Sequence, residues 1–196
     1  VDGTDAVGFI IETCRAEEGT WLVPTGPLTN VALALRAAPD LVDRIAGISL
    51  MGGGTFGNRD VMSEFNIWAD PEAAAMVFAC GVPLTMAGLD VTHQFLVTHD
   101  RIRDIDAVAA EFDSKLAGVL AGLFRFFADN YISRHDDLAG APLHDPLAVI
   151  ALTHPHLVGG SDRFVTVETR GEHTRGMTVI DRRQIRPRPD PNCHVL

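Results

Sequence analysis

The chain has 196 residues, 46% of them hydrophobic, which is enough to bury one substantial core and too few to argue for two; a single domain over residues 1–196 is expected. A formal net charge of -10 and a pI near 5.1 exclude a surface built to track phosphate backbones, because that affinity comes from clustered Lys and Arg releasing counterions, so neither nucleic acid nor an anionic membrane is an expected partner. The longest strongly apolar run, Leu116 to Phe124, is about half of the roughly 20 residues that span a bilayer, and Gly118 and Gly122 interrupt it. Cys14, Cys80 and Cys193 are an odd number without metal-type spacing, and no signal-peptide pattern opens the sequence, which together point to a reduced, cytoplasmic protein.

In chain order, Ile10 to Cys14 reads as the end of a helix and Thr20 to Pro24 as a short buried strand. A helix follows, capped by Thr29 or Asn30, with apolar Val31, Leu33, Ala34, Leu35 and Ala38 continuing until Pro39 and Asp40 break the pattern. Ile45 to Met51 is a second strand ending at Gly52-Gly53-Gly54. Asp70-Pro71-Glu72 then opens a helix to Ala79, with Asp70 as N-cap and Pro71 at the first helical position, and Gly81 closes it. Val82 to Ala87 is a third strand. From Asp100 the sequence turns helical, dominated by a long segment from Asp106 to Arg134 whose residues Phe112, Leu116, Leu120, Leu123 and Phe127 line one face as core or as a partner surface. Asp145-Pro146 starts another helix, Phe164 to Thr169 and Met177 to Asp181 read as two late strands around a turn at Gly171, and the Pro-rich remainder is expected to be irregular. The alternation predicts an α/β fold with parallel strands, without internal repeats or linkers.

In open α/β sheets ligands settle beyond the carboxyl ends of the parallel strands, which directs attention to the loops after Pro24, Met51 and Ala87. Thr25-Gly26-Pro27-Leu28-Thr29-Asn30 lets backbone approach a ligand closely, and the triple glycine is equally permissive. Asn58, Glu64 and Asn66 place neutral amides beside one carboxylate, a combination suited to hydroxyl groups that donate and accept at once; a solvated loop is the plainer alternative. His144-Asp145 pairs an imidazole that titrates near neutrality with a carboxylate that could simply cap the following helix. The histidines at 93, 99, 154, 156 and 173 have no zinc-type spacing, and serine-hydrolase elbows, P-loops and dinucleotide-binding glycine motifs are missing from the sequence.

Taken together, TWLVPTGPLTNVALAL (20–35), IAGISLMGG (45–53), EFNIWADPEAA (64–74), LHDPLAV (143–149) and TRGMTVIDRR (174–183) resemble the inosine/uridine-preferring nucleoside hydrolase family in order and spacing, from Phe9 to Val195. The resemblance implies an open, mainly parallel Rossmann-like sheet with flanking helices and an enzyme that hydrolyses ribonucleosides to free base and ribose. It also implies a Ca2+ ion that binds the ribose 2′- and 3′-hydroxyls and the attacking water. On this sequence, the backbone carbonyl of Thr25 and the carboxylate of Asp145 match calcium ligands, Asn58, Glu64 and Asn66 match residues that hold the ribose, and His144 matches the general acid beside the leaving base. Oxygen ligands suit such a hard cation.

The family's Asp-rich opening motif, which gives further calcium ligands and the catalytic base, has no counterpart here, because Asp2 and Asp5 precede a helix instead of following a buried strand. The chain is therefore expected to be a nucleoside hydrolase domain truncated at both ends. A catalytically inactive nucleoside-binding or assembly module is the alternative, and a phosphate-ester hydrolase on a similar scaffold would need more cationic groups at the loops. Phe126, Phe127, Tyr131 and His135 could stack on or protonate a base, so purine, pyrimidine and mixed preferences all stay open. By analogy with the family, a homodimer or homotetramer is expected.

Overall fold

Every side chain of one strand, Gly47–Met51, is buried, and the elements around it are arranged to keep it so. The computed structural model describes residues 3–133 and 138–196. In chain order its elements are α1 (Ala6–Ala16), β1 (Trp21–Leu22), α2 (Thr29–Ala37), β2 (Gly47–Met51), α3 (Phe65–Ala69), α4 (Pro71–Phe78), β3 (Leu84–Ala87) and α5 (Leu89–Thr92). They continue with β4 (Leu96–Val97), α6 (His99–Glu111), α7 (Lys115–Ile132), β5 (Ala141–Pro142), α8 (Pro146–Thr153), β6 (Ser161–Arg163), β7 (Val165–Val167), β8 (Thr178–Ile180) and β9 (Cys193–Val195). Contacts divide the chain into two units, the residues up to Val91 together with His144–Leu196, and Thr92–Leu143.

The first unit holds a five-stranded sheet in the order β1-β2-β3-β9-β6. Its strands are parallel except for β6, which runs antiparallel to β9. This is the open, mainly parallel α/β arrangement expected from the sequence. Ile48 and Leu50 on β2, Met86 on β3, Ala34 on α2 and Ala74 on α4 are sealed from solvent in one apolar cluster. Each large aliphatic side chain so buried contributes about 1.5–3 kcal/mol. A smaller antiparallel pair, β7 with β8, forms the hairpin expected around Gly171.

Local signals explain most element ends. Asp5 caps α1 by accepting the Gly8 N–H at 2.8 Å, and Asp70 caps α4 by accepting the Ala73 N–H at 3.0 Å, with Pro71 at the first helical position. The cap expected on α2 is not made. Leu28 occupies that position without a side-chain bond, and the Thr29 hydroxyl instead donates to Asp70 at 2.5 Å, tying α2 to α4. The segment 20–24 pairs as a strand only at Trp21 and Leu22, although the Met51 N–H still reaches the Pro24 carbonyl at 3.0 Å. The Pro-rich tail also departs from expectation, since Cys193–Val195 enters the sheet beside β3.

In the second unit, β4 and β5 form a short antiparallel pair and α6 packs against α7. The single long helix expected from Asp106 onward is two, because Asp113 adopts a left-handed φ of 47° and Ser114 starts α7 by accepting the Ala117 N–H. The apolar stripe does not form the core. Phe112 and Leu116 are 69% and 70% exposed, and the buried residues are Val97, Ile102, Ala121, Ala128 and Ala141. Phe126 is exposed and Tyr131 half-buried, while Arg134 and His135 lie outside the described residues. Among the described residues, no helix is long and apolar enough to cross a membrane.

Insertion of β9 has a chemical signature. Burial, reinforced by the negative charge of Asp162, pushes the Cys193 thiol up to about 12. The thiolate is the reactive form, so iodoacetamide at pH 8 is expected to leave Cys193 unmodified in the native protein and to label it once denaturant is added. Native-state labelling of Cys193 would show that β9 does not occupy this place.

Candidate active site

Parallel pairing of β1, β2 and β3 brings their carboxyl ends to the same side, so the loops after them share one rim of the sheet. Glu64 is the centre of this rim. It immediately precedes α3, is 3% exposed, and its Oε2 accepts the N–H groups of Gly53 at 3.0 Å, Asn66 at 2.9 Å and Ile67 at 3.2 Å. Burial raises its pKa, the three N–H groups pull it back down, and the charge of Asp145 raises it again. The short helix α3, absent from the sequence-based expectations, exists here as the N–H source for this carboxylate.

Asn66 is held by the same turn. Its Nδ2 donates to the Met51 carbonyl at 3.0 Å and lies 3.5 Å from the Thr25 carbonyl, joining the ends of β1 and β2. Asn58 sits at the exposed side, where its Oδ1 accepts the Phe65 N–H at 2.9 Å. Hydrogen bonds thus link Glu64 to Asn66 and Asn66 to Thr25, and Asn58 is tied to the same turn through Phe65.

His144 and Asp145 reach the first unit at the start of α8, which packs on β2 and β3. The buried Ser49 hydroxyl on β2 donates to the Ala148 carbonyl at 2.7 Å and fixes that helix against the strand. Asp145 does not cap. It has helical backbone angles, and its carboxylate makes no capping bond, unlike Asp70 in the same Asp-Pro context. Although the residue is exposed overall, desolvation raises its pKa. His144 is half-buried beside it.

Two carboxylates and a backbone carbonyl are an all-oxygen donor set, which matches a hard cation and not zinc or copper. Two carboxylates with raised pKa values, one influencing the other, are also the electrostatic condition that a cation relieves. Among the described residues, no group of three His, Cys, Asp or Glu side chains could hold a metal ion, so Thr25 and Asp145 supply only part of the six to eight oxygens that calcium takes.

Sequence reasoning passed over the residues that brace this rim. Ser49 reads as one more strand residue, and nothing but its polarity inside an apolar run marks it. Asp90 accepts both the N–H and the hydroxyl of Thr55, at 2.8 and 2.5 Å. Thr178 bonds Gly54. All three pairs join positions far apart in the sequence, where spacing carries no signal. Phe126, Phe127 and Tyr131 belong to the second unit.

The whole chain, residues 1–196, matches the family model described as inosine-uridine preferring nucleoside hydrolase. It is 48% identical over 162 residues to a pyrimidine-specific ribonucleoside hydrolase, RihA, of Shewanella woodyi, covering 82% of this chain and 51% of that protein. RihA of Escherichia coli is 43% identical over 178 residues, covering 90% and 56%. The purine-preferring ribonucleoside hydrolase of Gardnerella vaginalis superposes with a TM-score of 0.87 at 37% identity, covering 100% of this chain and 61% of that structure. The chain thus spans between half and two thirds of the length of these relatives.

The two Asp-Pro helix starts make opposite predictions. Asp70→Ala removes a cap and the Thr29 contact and is expected to cost about 1 kcal/mol or more in urea unfolding. Asp145→Ala is expected to change stability by less than about 0.5 kcal/mol. Equal losses would mean that Asp145 is a structural cap after all.

Proposed function

This chain belongs to the inosine-uridine preferring nucleoside hydrolase family, and from that premise we propose that it carries the ribose-binding part of an active site that hydrolyses the N-glycosidic bond of ribonucleosides, giving free base and ribose. The observation that carries the reading is Asp145, a carboxylate at a helix start that caps nothing and bears on the buried Glu64. A purely structural rim has no use for a desolvated carboxylate whose charge raises the pKa of a second, buried one.

The bond breaks through an oxocarbenium-like ribosyl centre, so the site must stabilise positive charge on the sugar and negative charge on the departing base. Glu64 keeps its Oε2 committed to three backbone N–H groups and offers the other oxygen to a ribose hydroxyl. The amides of Asn58 and Asn66 donate to or accept from neighbouring hydroxyls. His144 donates a proton to the base, a contribution of about 10² to 10⁴ in rate for a general acid. The Thr25 carbonyl and the Asp145 carboxylate would hold Ca2+, which supplies orientation of the diol and a water of lowered pKa. None of the 196 residues matches the Asp-rich motif to which the family resemblance assigns the remaining ligands and the base.

Pyrimidine ribonucleosides are the proposed preferred substrates, a choice supported by the specificity in the names of the RihA relatives at 43–48% identity. A homodimeric or homotetrameric assembly and a cytoplasmic setting belong to the same proposal, the latter supported by three free cysteines.

The test is release of free base from uridine and inosine, with and without a calcium chelator, by residues 1–196 and by the full polypeptide of the same reading frame. Chelator-sensitive release faster from uridine, lowered at least about 100-fold by Asp145→Asn, is the expected result. Calorimetry should show weaker calcium binding in the same variant. Failure of both polypeptides to release base would overturn the proposal in favour of a binding module.

A further inference from the structure

The Gly52-Gly53-Gly54 turn holds Glu64 through the Gly53 N–H, yet glycine is the residue that holds its own backbone least firmly. Gly53 has φ +74° and Gly54 φ +153°, conformations open to glycine and costly to other residues. Something outside the turn has to fix it. The Thr178 hydroxyl on β8 accepts the Gly54 N–H at 2.9 Å and donates to the Gly54 carbonyl at 2.6 Å, so its donor and one of its acceptor positions are spent on a single residue. Its methyl group fills the space beneath Gly53, where an added Cβ would lie 2.7 Å from Thr178 Cγ2. Thr178 is 3% exposed, so water does not compete for these bonds.

We infer that Thr178 is a positioning residue for the ribose-binding site, its hydroxyl clamping Gly54 so that the Gly53 N–H stays aimed at Glu64. The inference rests on the proposed role of Glu64 toward ribose and deepens it. The hairpin that carries Thr178 has other anchors. Arg175 pairs with both carboxylate oxygens of Glu72, and the Ser63 hydroxyl donates to the Arg175 carbonyl at 2.6 Å. Loss of the Thr178 hydroxyl therefore leaves the hairpin docked, and the Gly53 carbonyl still bonded to the Leu89 N–H at 2.8 Å, while releasing Gly54 between Gly53 and Thr55.

Thr178→Val preserves shape and removes the hydroxyl, whereas Thr178→Ser keeps the hydroxyl and removes the methyl. In the full polypeptide, hydrogen–deuterium exchange of the segment 52–55 is expected to accelerate about tenfold in Thr178→Val, with the segment 47–50 of β2 unchanged, because buried bonds are lost locally. KM for uridine should rise about tenfold with a smaller change in kcat, and Thr178→Ser should return exchange and KM to within about twofold of the parent. Unchanged exchange in Thr178→Val, or a Thr178→Ser variant as impaired as Thr178→Val, overturns the inference. If the parent polypeptide itself releases no base, the nucleoside hydrolase reading fails, and exchange at 52–55 alone decides whether Thr178 is the clamp.

Discussion

A buried carboxylate dictates this architecture. Placing a charge where solvent is excluded costs several kcal/mol unless hydrogen bonds compensate, and Glu64 finds its compensation in backbone N–H groups from two separate pieces of chain. One piece is the first turn of α3, whose N–H groups have no helical partners of their own. The other is a glycine turn at the end of β2. Both pieces lie in the connection that leaves the carboxyl end of β2, with Gly53 eleven residues before Glu64, so the charge of the site is compensated within one loop of the sheet rim.

What braces the rim can be ranked by magnitude. The Arg175–Glu72 pair links the hairpin to α4, but both side chains are about half exposed, and such pairs contribute about 0–1 kcal/mol. The buried bonds from Thr178 to Gly54 and from Ser49 to Ala148 matter more, because breaking one strands a polar group away from water at a cost of about 1–3 kcal/mol. Precision at the site therefore comes from two hydroxyls on strands rather than from the ion pairs of the surface.

The sequence was most readable where the physics is local. Asp70-Pro71 announces a capped helix, and the cap is present, because its bond spans three residues. The same two letters at Asp145-Pro146 announce a helix correctly and a cap incorrectly, since what the side chain does there depends on α8 being seated on β2 from far away in the chain. Hydrophobic spacing from Phe112 to Phe127 runs straight through a break set by the backbone of Asp113, which a periodicity argument does not register. The candidate residues Thr25, Asn58, Glu64 and Asn66 were legible as polar groups in loops beyond strand ends, and their linkage was not, because it passes through backbone N–H and carbonyl groups that every residue shares.

The position of β9 sets an order of assembly. Thr85 on β3 pairs with His194, more than half the chain away, and among the described residues β6 is joined to the sheet only through β9. Closing so long a loop is entropically slow, and during synthesis β3 must leave the ribosome with one edge unpaired. For that interval the nascent chain presents an open strand edge of the kind that seeds aggregation, and it stays open until residues 193–195 arrive.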